Sequence, residues 1–132
     1  MEIEGVHVVL RAADFDRTCR FYEQVVGFAR LGTWENETGR GASFAAADTV
    51  LEVLGRPAGA TGRDEAFDYR GPQHKMTLAF TVPSAEKAYR ELLFRDKNIP
   101  GGLRTAPDGS LAFETHDPDG VKLHFREASH EA

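Results

Sequence analysis

The sequence predicts an α+β fold built from two βαβββ modules in tandem, with the helices packed on one side of the strands, and three observations predict it. One pattern is written twice, the strand segments alternate with a period of two, and strong turn signals punctuate them at matching places. Copy one is HVVLRAADFDRTCRFYEQVVGF followed by SFAAADTVLEVL; copy two is TLAFTVPSAEKAYRELLF followed by LAFETHDPDGVKLHF. His7 and Thr77, Asp14 and Ser84, Cys19 and Tyr89, and Tyr22 and Leu92 are each 70 residues apart, so the first strand and helix superpose without a gap. Phe44 to Phe113 and Asp48 to Asp117 are 69 apart, and Glu52 to His124 is 72 because the DPDG turn makes copy two three residues longer there.

Taken in order, residues 6–12 alternate as a half-buried strand, with Val8 and Leu10 on one face and His7, Val9 and Arg11 on the other. Asp14 caps a helix in which Phe15, Cys19, Tyr22 and Val26 recur at helical spacing, and Gly27 stops it. Residues 29–35 and 41–47 form a hairpin around ENETGRG, and 49–54 add a fourth strand with Val50, Glu52 and Leu54 on one face. Module one therefore spans 3–54. Residues 55–75, rich in Gly, Arg and Asp, read as a linker whose Phe67 and Tyr69 give it apolar contacts to offer as a partial lid. Module two spans 76–127: strand 76–82, Ser84 as cap, and a helix over 84–96 with Ala85, Ala88, Tyr89 and Leu92 inward. Strands at 102–106, 110–116 and 121–127 follow, separated by PDGS and DPDG, where Pro presets φ and Gly tolerates its positive values. The final ASHEA reads as frayed.

Composition bounds the function. At 132 residues the chain is a single domain's worth, and each half, roughly 55 residues, is marginal alone. With 41% hydrophobic and 28% charged residues it has an ordinary soluble composition, no apolar run reaches the ~20 residues of a membrane span, and, since MEIEGVHVVL has no basic region followed by a long apolar segment, no signal peptide is expected. A cytoplasmic protein with a native N-terminus is expected. The lone Cys19 excludes an internal disulfide and sits on the apolar face of the first helix as a packing residue. A net charge of −5 without a basic stripe argues against nucleic acid as partner.

Alternation sends Val8, Leu10, Leu51, Val53, Leu78, Phe80, Leu123 and Phe125 toward the helices. The opposite face carries His7, Val9, Arg11, Val50, Glu52, Thr77, Ala79, Thr81, Lys122, His124 and Arg126, too polar for a second core and suited to lining a cavity. If the copies are related by pseudo-twofold symmetry, His7, Glu52, Thr77 and His124 are the equivalent positions on the first and last strands of each. Two imidazoles and a carboxylate with room for water suit Fe(II), Mn, Ni or Zn acting as Lewis acid or oxygen activator.

Together, the opening strand and helix with Phe21-Tyr22 and Gly27-Phe28, and the closing DPDGVKLHF, resemble the vicinal oxygen chelate superfamily. That superfamily includes glyoxalase I, extradiol dioxygenases, fosfomycin-resistance transferases and bleomycin-binding proteins, and the resemblance covers nearly the whole chain. It implies paired βαβββ modules forming a cup-shaped mixed sheet around a small-molecule ligand, commonly in a homodimer. It places His7 on the first metal ligand and Glu52 on the acidic ligand closing copy one. Where the metal enzymes carry His or Gln this chain has Thr77, and where they carry Glu it has His124. His74, three residues from Thr77, has the wrong strand parity to substitute unless a bulge intervenes.

Two readings follow. In one, a divalent metal on His7, Glu52 and His124 serves a lyase, isomerase or dioxygenase, with Glu52 as ligand or general base. In the other, a metal-free cup lined by Arg11, Trp34, Glu52, Thr77 and Arg126 sequesters a drug or metabolite, with Trp34 and the rings of Phe44 and Phe67 as candidates for a wall against a flat molecule. The plainer alternatives are a cavity histidine bonded to Glu52 for His7, an ion pair with Arg11, Lys122 or Arg126 for Glu52, a hydrogen bond to ligand or Glu52 for His124, and core packing for Phe44. His116 reads as a turn or surface residue and His130 as part of a tail. A cup serving mainly as a dimer interface is disfavoured by its polar lining.

Overall fold

The computed structural model describes residues 1–68, 76–95 and 97–127. The chain divides into two compact units, Met1–Gly71 and Pro72–Ala132. Of the residues singled out above, Tyr69, His74 and His130 lie outside the described residues.

In the first unit the order is β1 (His7–Arg11), α1 (Phe15–Arg20), a π-helical turn (Phe21–Val26), β2 (Ala29–Asn36), β3 (Gly39–Ala46), β4 (Thr49–Gly55) and a short α2 (Glu65–Asp68). The strands form one mixed sheet in the order β1-β4-β3-β2, with β1 parallel to β4 and the other pairs antiparallel. The second unit repeats this as β5 (Thr77–Val82), α3 (Ala85–Phe94), β6 (Arg104–Thr105), β7 (Leu111–His116) and β8 (Lys122–Glu127), in the order β5-β8-β7-β6. The tandem βαβββ architecture is therefore present.

The capping chemistry works as the sequence specifies. Asp14 Oδ1 accepts from the backbone N–H of Arg17 at 3.2 Å, and Ser84 Oγ accepts from Lys87 N–H at 3.1 Å, each relieving one orphan donor of the first turn. Gly27 ends the first helix with φ 94°, while its N–H and that of Phe28 both donate to the Tyr22 carbonyl. The last turn before it widens into a π-turn, which periodicity alone does not announce, and both of its adjacent rings, Phe21 and Tyr22, are buried.

Each module has its own core between helix and sheet. Phe44 and Phe113, equivalent across the repeat, are both fully buried; Tyr22 approaches the first at 6.5 Å between ring centres and Tyr89 approaches the second at 5.5 Å. Leu51, Val53, Leu123 and Phe125 are buried as alternation requires. Val8, Leu10, Leu78 and Phe80 point the same way but are only half-buried, because β1 and β5 each pair with a single strand of their module. Cys19 is buried among these side chains, and loss of hydration pushes its thiol up to about 11.

Three local expectations change. The strand expected over 102–106 is only Arg104–Thr105, since Gly102 takes φ 59° and Ala106 already belongs to the turn closed by its bonds with Ser110 and Gly109. The helix expected over 84–96 runs from Ala85 to Phe94. The described part of the linker is folded rather than open: Arg56 donates to the Gly62 and Thr61 carbonyls at 2.8 and 2.9 Å and lies 3.8 Å from Asp68, gathering the segment that ends in α2.

Candidate functional site

The register shows how each module displays its candidate residues. His7 lies opposite Val50 and Val9 opposite Glu52, so His7 and Glu52 share the helix-free face and sit diagonally across β1 and β4. Thr77 lies opposite Lys122 and Ala79 opposite His124, which sets Thr77 and His124 in the same diagonal relation across β5 and β8. With a rise of ~3.3 Å per residue and ~4.8 Å between strands, each diagonal spans about 8 Å between Cα atoms, a gap two side chains can bridge through a shared ion or water.

On the first module this open face carries His7, Val9 and Arg11 on β1, Val50, Glu52 and Leu54 on β4, and Trp34 on β2. Glu52 is half-buried with Val9 and Ser43 as its lateral neighbours; Leu51 and Val53, which flank it in sequence, face the core instead. Among the described residues Glu52, His7 and Arg11 take part in no ion pair, so within module one Glu52 and Arg11 are not paired, and the other two suggested counter-charges have carboxylates of their own module nearby. Lys122 lies 3.5 Å from Glu114, and Arg126 lies 3.8 Å from Asp108.

Trp34 is 45% exposed, and its indole lies along the β3 backbone. A Cβ placed on Gly41 would fall 2.6 Å from the indole Cε2 and nearer still to Nε1, and one on Gly39 would be 3.8 Å from Cη2. The rest of that half of the face is small: Gly32, Ser43 and Ala45 share it with the two glycines. Phe44, by contrast, is core, and Phe67 is half-buried in α2.

On the second module the open face holds a residue that the sequence reading passed over. Glu114 on β7 stands opposite His124. Its Oε1 accepts from the Arg104 guanidinium at 2.8 Å and lies 3.9 Å from His124 Nδ1, and its Oε2 lies 3.5 Å from Lys122 Nζ. Continuing the period-two assignment from Phe113 would have placed Glu114 on this face; its partners come from neighbouring strands and need the register. Nearby, Asp108 folds the turn before β7 by accepting from the Ser110 hydroxyl at 2.6 Å and from its N–H at 3.0 Å, bonds that, led by the hydroxyl, hold its carboxyl below the usual range. His116 ends β7 exposed.

Among the described residues no three His, Cys, Asp or Glu side chains gather closely enough to hold a metal ion. Module one offers the diagonal pair His7 and Glu52; module two offers the diagonal pair Thr77 and His124 and, directly opposite His124, Glu114. A separate open trough of about 680 Å³ runs along the outward side of α3, lined by Ser84, Lys87, Glu91, Phe94 and Arg95, and contains none of these residues.

The sequence model of the Glyoxalase/Bleomycin resistance protein/Dioxygenase superfamily matches residues 6–125, which takes in both modules from β1 to β8. The chain belongs to that superfamily. Solved structures share its fold: SMU.1112c, with a TM-score of 0.78 at 22% identity, covers 96% of this chain and 100% of its own. TnmS3, described as an antibiotic binding protein from Streptomyces sp. CB03234, has a TM-score of 0.72 at 23% identity and covers 98% of this chain and 99% of its own. A glyoxylase/bleomycin resistance protein/dioxygenase domain from Frankia sp. EAN1pec has a TM-score of 0.72 at 20% identity, covering 99% and 96%. No curated protein matches. Among the described residues no helix is long and apolar enough to cross a membrane.

Proposed function

We propose that this superfamily member binds a small planar organic molecule on an open sheet face, with Trp34 as its stacking surface, and that binding requires no resident metal. The observation that carries the reading is the exposed Trp34 indole, laid on a glycine backbone on the same face as His7, Arg11 and Glu52. Aromatic stacking contributes about 0.5–1.5 kcal/mol beyond the area it buries, and a few polar groups beside it fix orientation. Arg11 and Glu52 are suited to that task on module one, and Thr77 and Arg126 on module two. The superfamily includes bleomycin resistance proteins, and the Streptomyces relative is described as antibiotic binding.

The donor set argues in the same direction. Thr77 is a poor neutral ligand where the resemblance implies His or Gln, and His124 shares its carboxylate neighbour with Arg104 and Lys122, whose charges oppose a divalent cation on that face. The residues present do not make a good fit to a resident ion. The metal-dependent alternative, with Fe, Mn, Ni or Zn on His7, Glu52 and His124, predicts the reverse: purified protein retains a first-row metal that His7→Ala releases. Elemental analysis of untagged protein, paired with thermal unfolding in planar compounds with and without chelator, decides between them. We expect substoichiometric metal and a ligand-dependent rise in Tm indifferent to chelator; stoichiometric metal lost with His7→Ala would reject the proposal.

A further inference from the structure

Position 41 has no backbone reason to be glycine. It lies inside β3, paired with Trp34 on one side and Leu54 on the other, and its φ is outside the left-handed region. Glycine there weakens a strand by roughly 0.5–1 kcal/mol relative to alanine, through chain entropy and the missing side chain. What it permits is the position of a neighbour. The five-membered ring of Trp34 rests over Gly41, where a Cβ would meet Cε2 at 2.6 Å and Cδ1 at 3.0 Å, and the far end of the indole reaches toward Gly39. The ring thus lies lengthwise on β3, one face covered by backbone, while the residue stays 45% exposed. Gly32 and Ser43, small and on the same face, leave the ground beside it clear.

We propose that Gly41 is a specificity-determining residue: by carrying no side chain it seats the Trp34 indole flat on the strand, so that the site selects a planar π-system over a saturated molecule of equal charge. This rests on the binding function proposed above. With Cβ added at position 41, the indole must leave its seat and its outward face is lost as a platform, even though Trp34 itself is unchanged. Gly41 acts through Trp34 and is a positioning residue, not a contact.

The test compares naphthalene-2-sulfonate with cyclohexanesulfonate by calorimetric titration, using wild type, Gly41→Ala, Trp34→Ala and the double variant, each checked for folding by thermal unfolding. Wild type should bind the naphthalene probe and bind the saturated one at least roughly tenfold more weakly. Gly41→Ala should lose about as much naphthalene affinity as Trp34→Ala, and the double variant no more than either, since both remove the same platform. Wild-type protein supplies a measurement that needs no variant to fold: the Gly41 Hα proton that stands where a Cβ would, under the indole, should resonate far upfield. Gly41→Ala that folds and binds the naphthalene probe like wild type overturns the inference alone, as do two Gly41 Hα protons that both resonate at ordinary shifts. Wild type that binds neither probe, or both equally, overturns the proposed planar-ligand function as well.

Discussion

At Gly55, a methyl group would meet Phe15 Cβ and Cδ1 at 2.7 Å, between the end of β4 and the first turn of α1. Neither strand nor helix can yield there without separating, so Gly55→Ala should destabilise by about 1–3 kcal/mol, read as a lower denaturant midpoint at unchanged slope. An unchanged midpoint would show that the helix sits less tightly on the sheet. Cys19 supplies a pH test. Burial raises its thiol from 9.0 to about 11, so between those values the unfolded chain releases the proton before the folded one does. The stability from this group is complete below pH 9 and declines as pH rises through 11, and Cys19→Ser should flatten that part of the stability profile. The burial of Cys19 and the role of Gly27 were legible because each depends on residues a few positions away. Glu114 was not, because its neighbours Arg104, Lys122 and His124 lie on β6 and β8 and only strand register unites them.

Asp14 and Ser84, separated by one repeat length, perform the same act at the heads of two helices. Replacing either with Ala should cost about 1 kcal/mol by chemical denaturation, and the pair should add, since the caps serve separate modules. A cost near zero for Ser84→Ala would mean that the second helix start is held instead by Glu127, whose carboxylate accepts from Ala85 N–H at 3.1 Å. Strand positions were readable to within a residue or two wherever alternation ran for five residues or more, as in β1, β4, β5 and β8. Two elements escaped that signal. The π-turn at Phe21–Val26 keeps the same apolar spacing as an α-helix would, and β6 is cut to two residues by its flanking turn geometry. Residues 56–68 are gathered in part by the Arg56 guanidinium, which reaches across five and six residues to carbonyls, where composition describes only a polar linker.

For the molecule as a whole, the repeat places the same diagonal pair of positions on the open face of each module, and the two copies then diverge in what they put there. Module one keeps His7 and Glu52 with the Trp34 indole; module two sets His124 beside Glu114 in a field of Arg104 and Lys122. The strand positions of all four repeat-related residues could be read from offsets of 70 and 72, whereas the electrostatic character of each face could not, because it is set across strands. A binding protein for a planar molecule is the central claim. It is tested most directly through the indole N–H of Trp34, the chain's only tryptophan, followed by heteronuclear NMR during titration with naphthalene-2-sulfonate before and after chelator treatment. A planar ligand stacked on Trp34 gives a saturable shift of that single resonance, identical in both preparations; a resonance that stays still while the protein binds elsewhere, or a shift abolished by chelator, would contradict this reading.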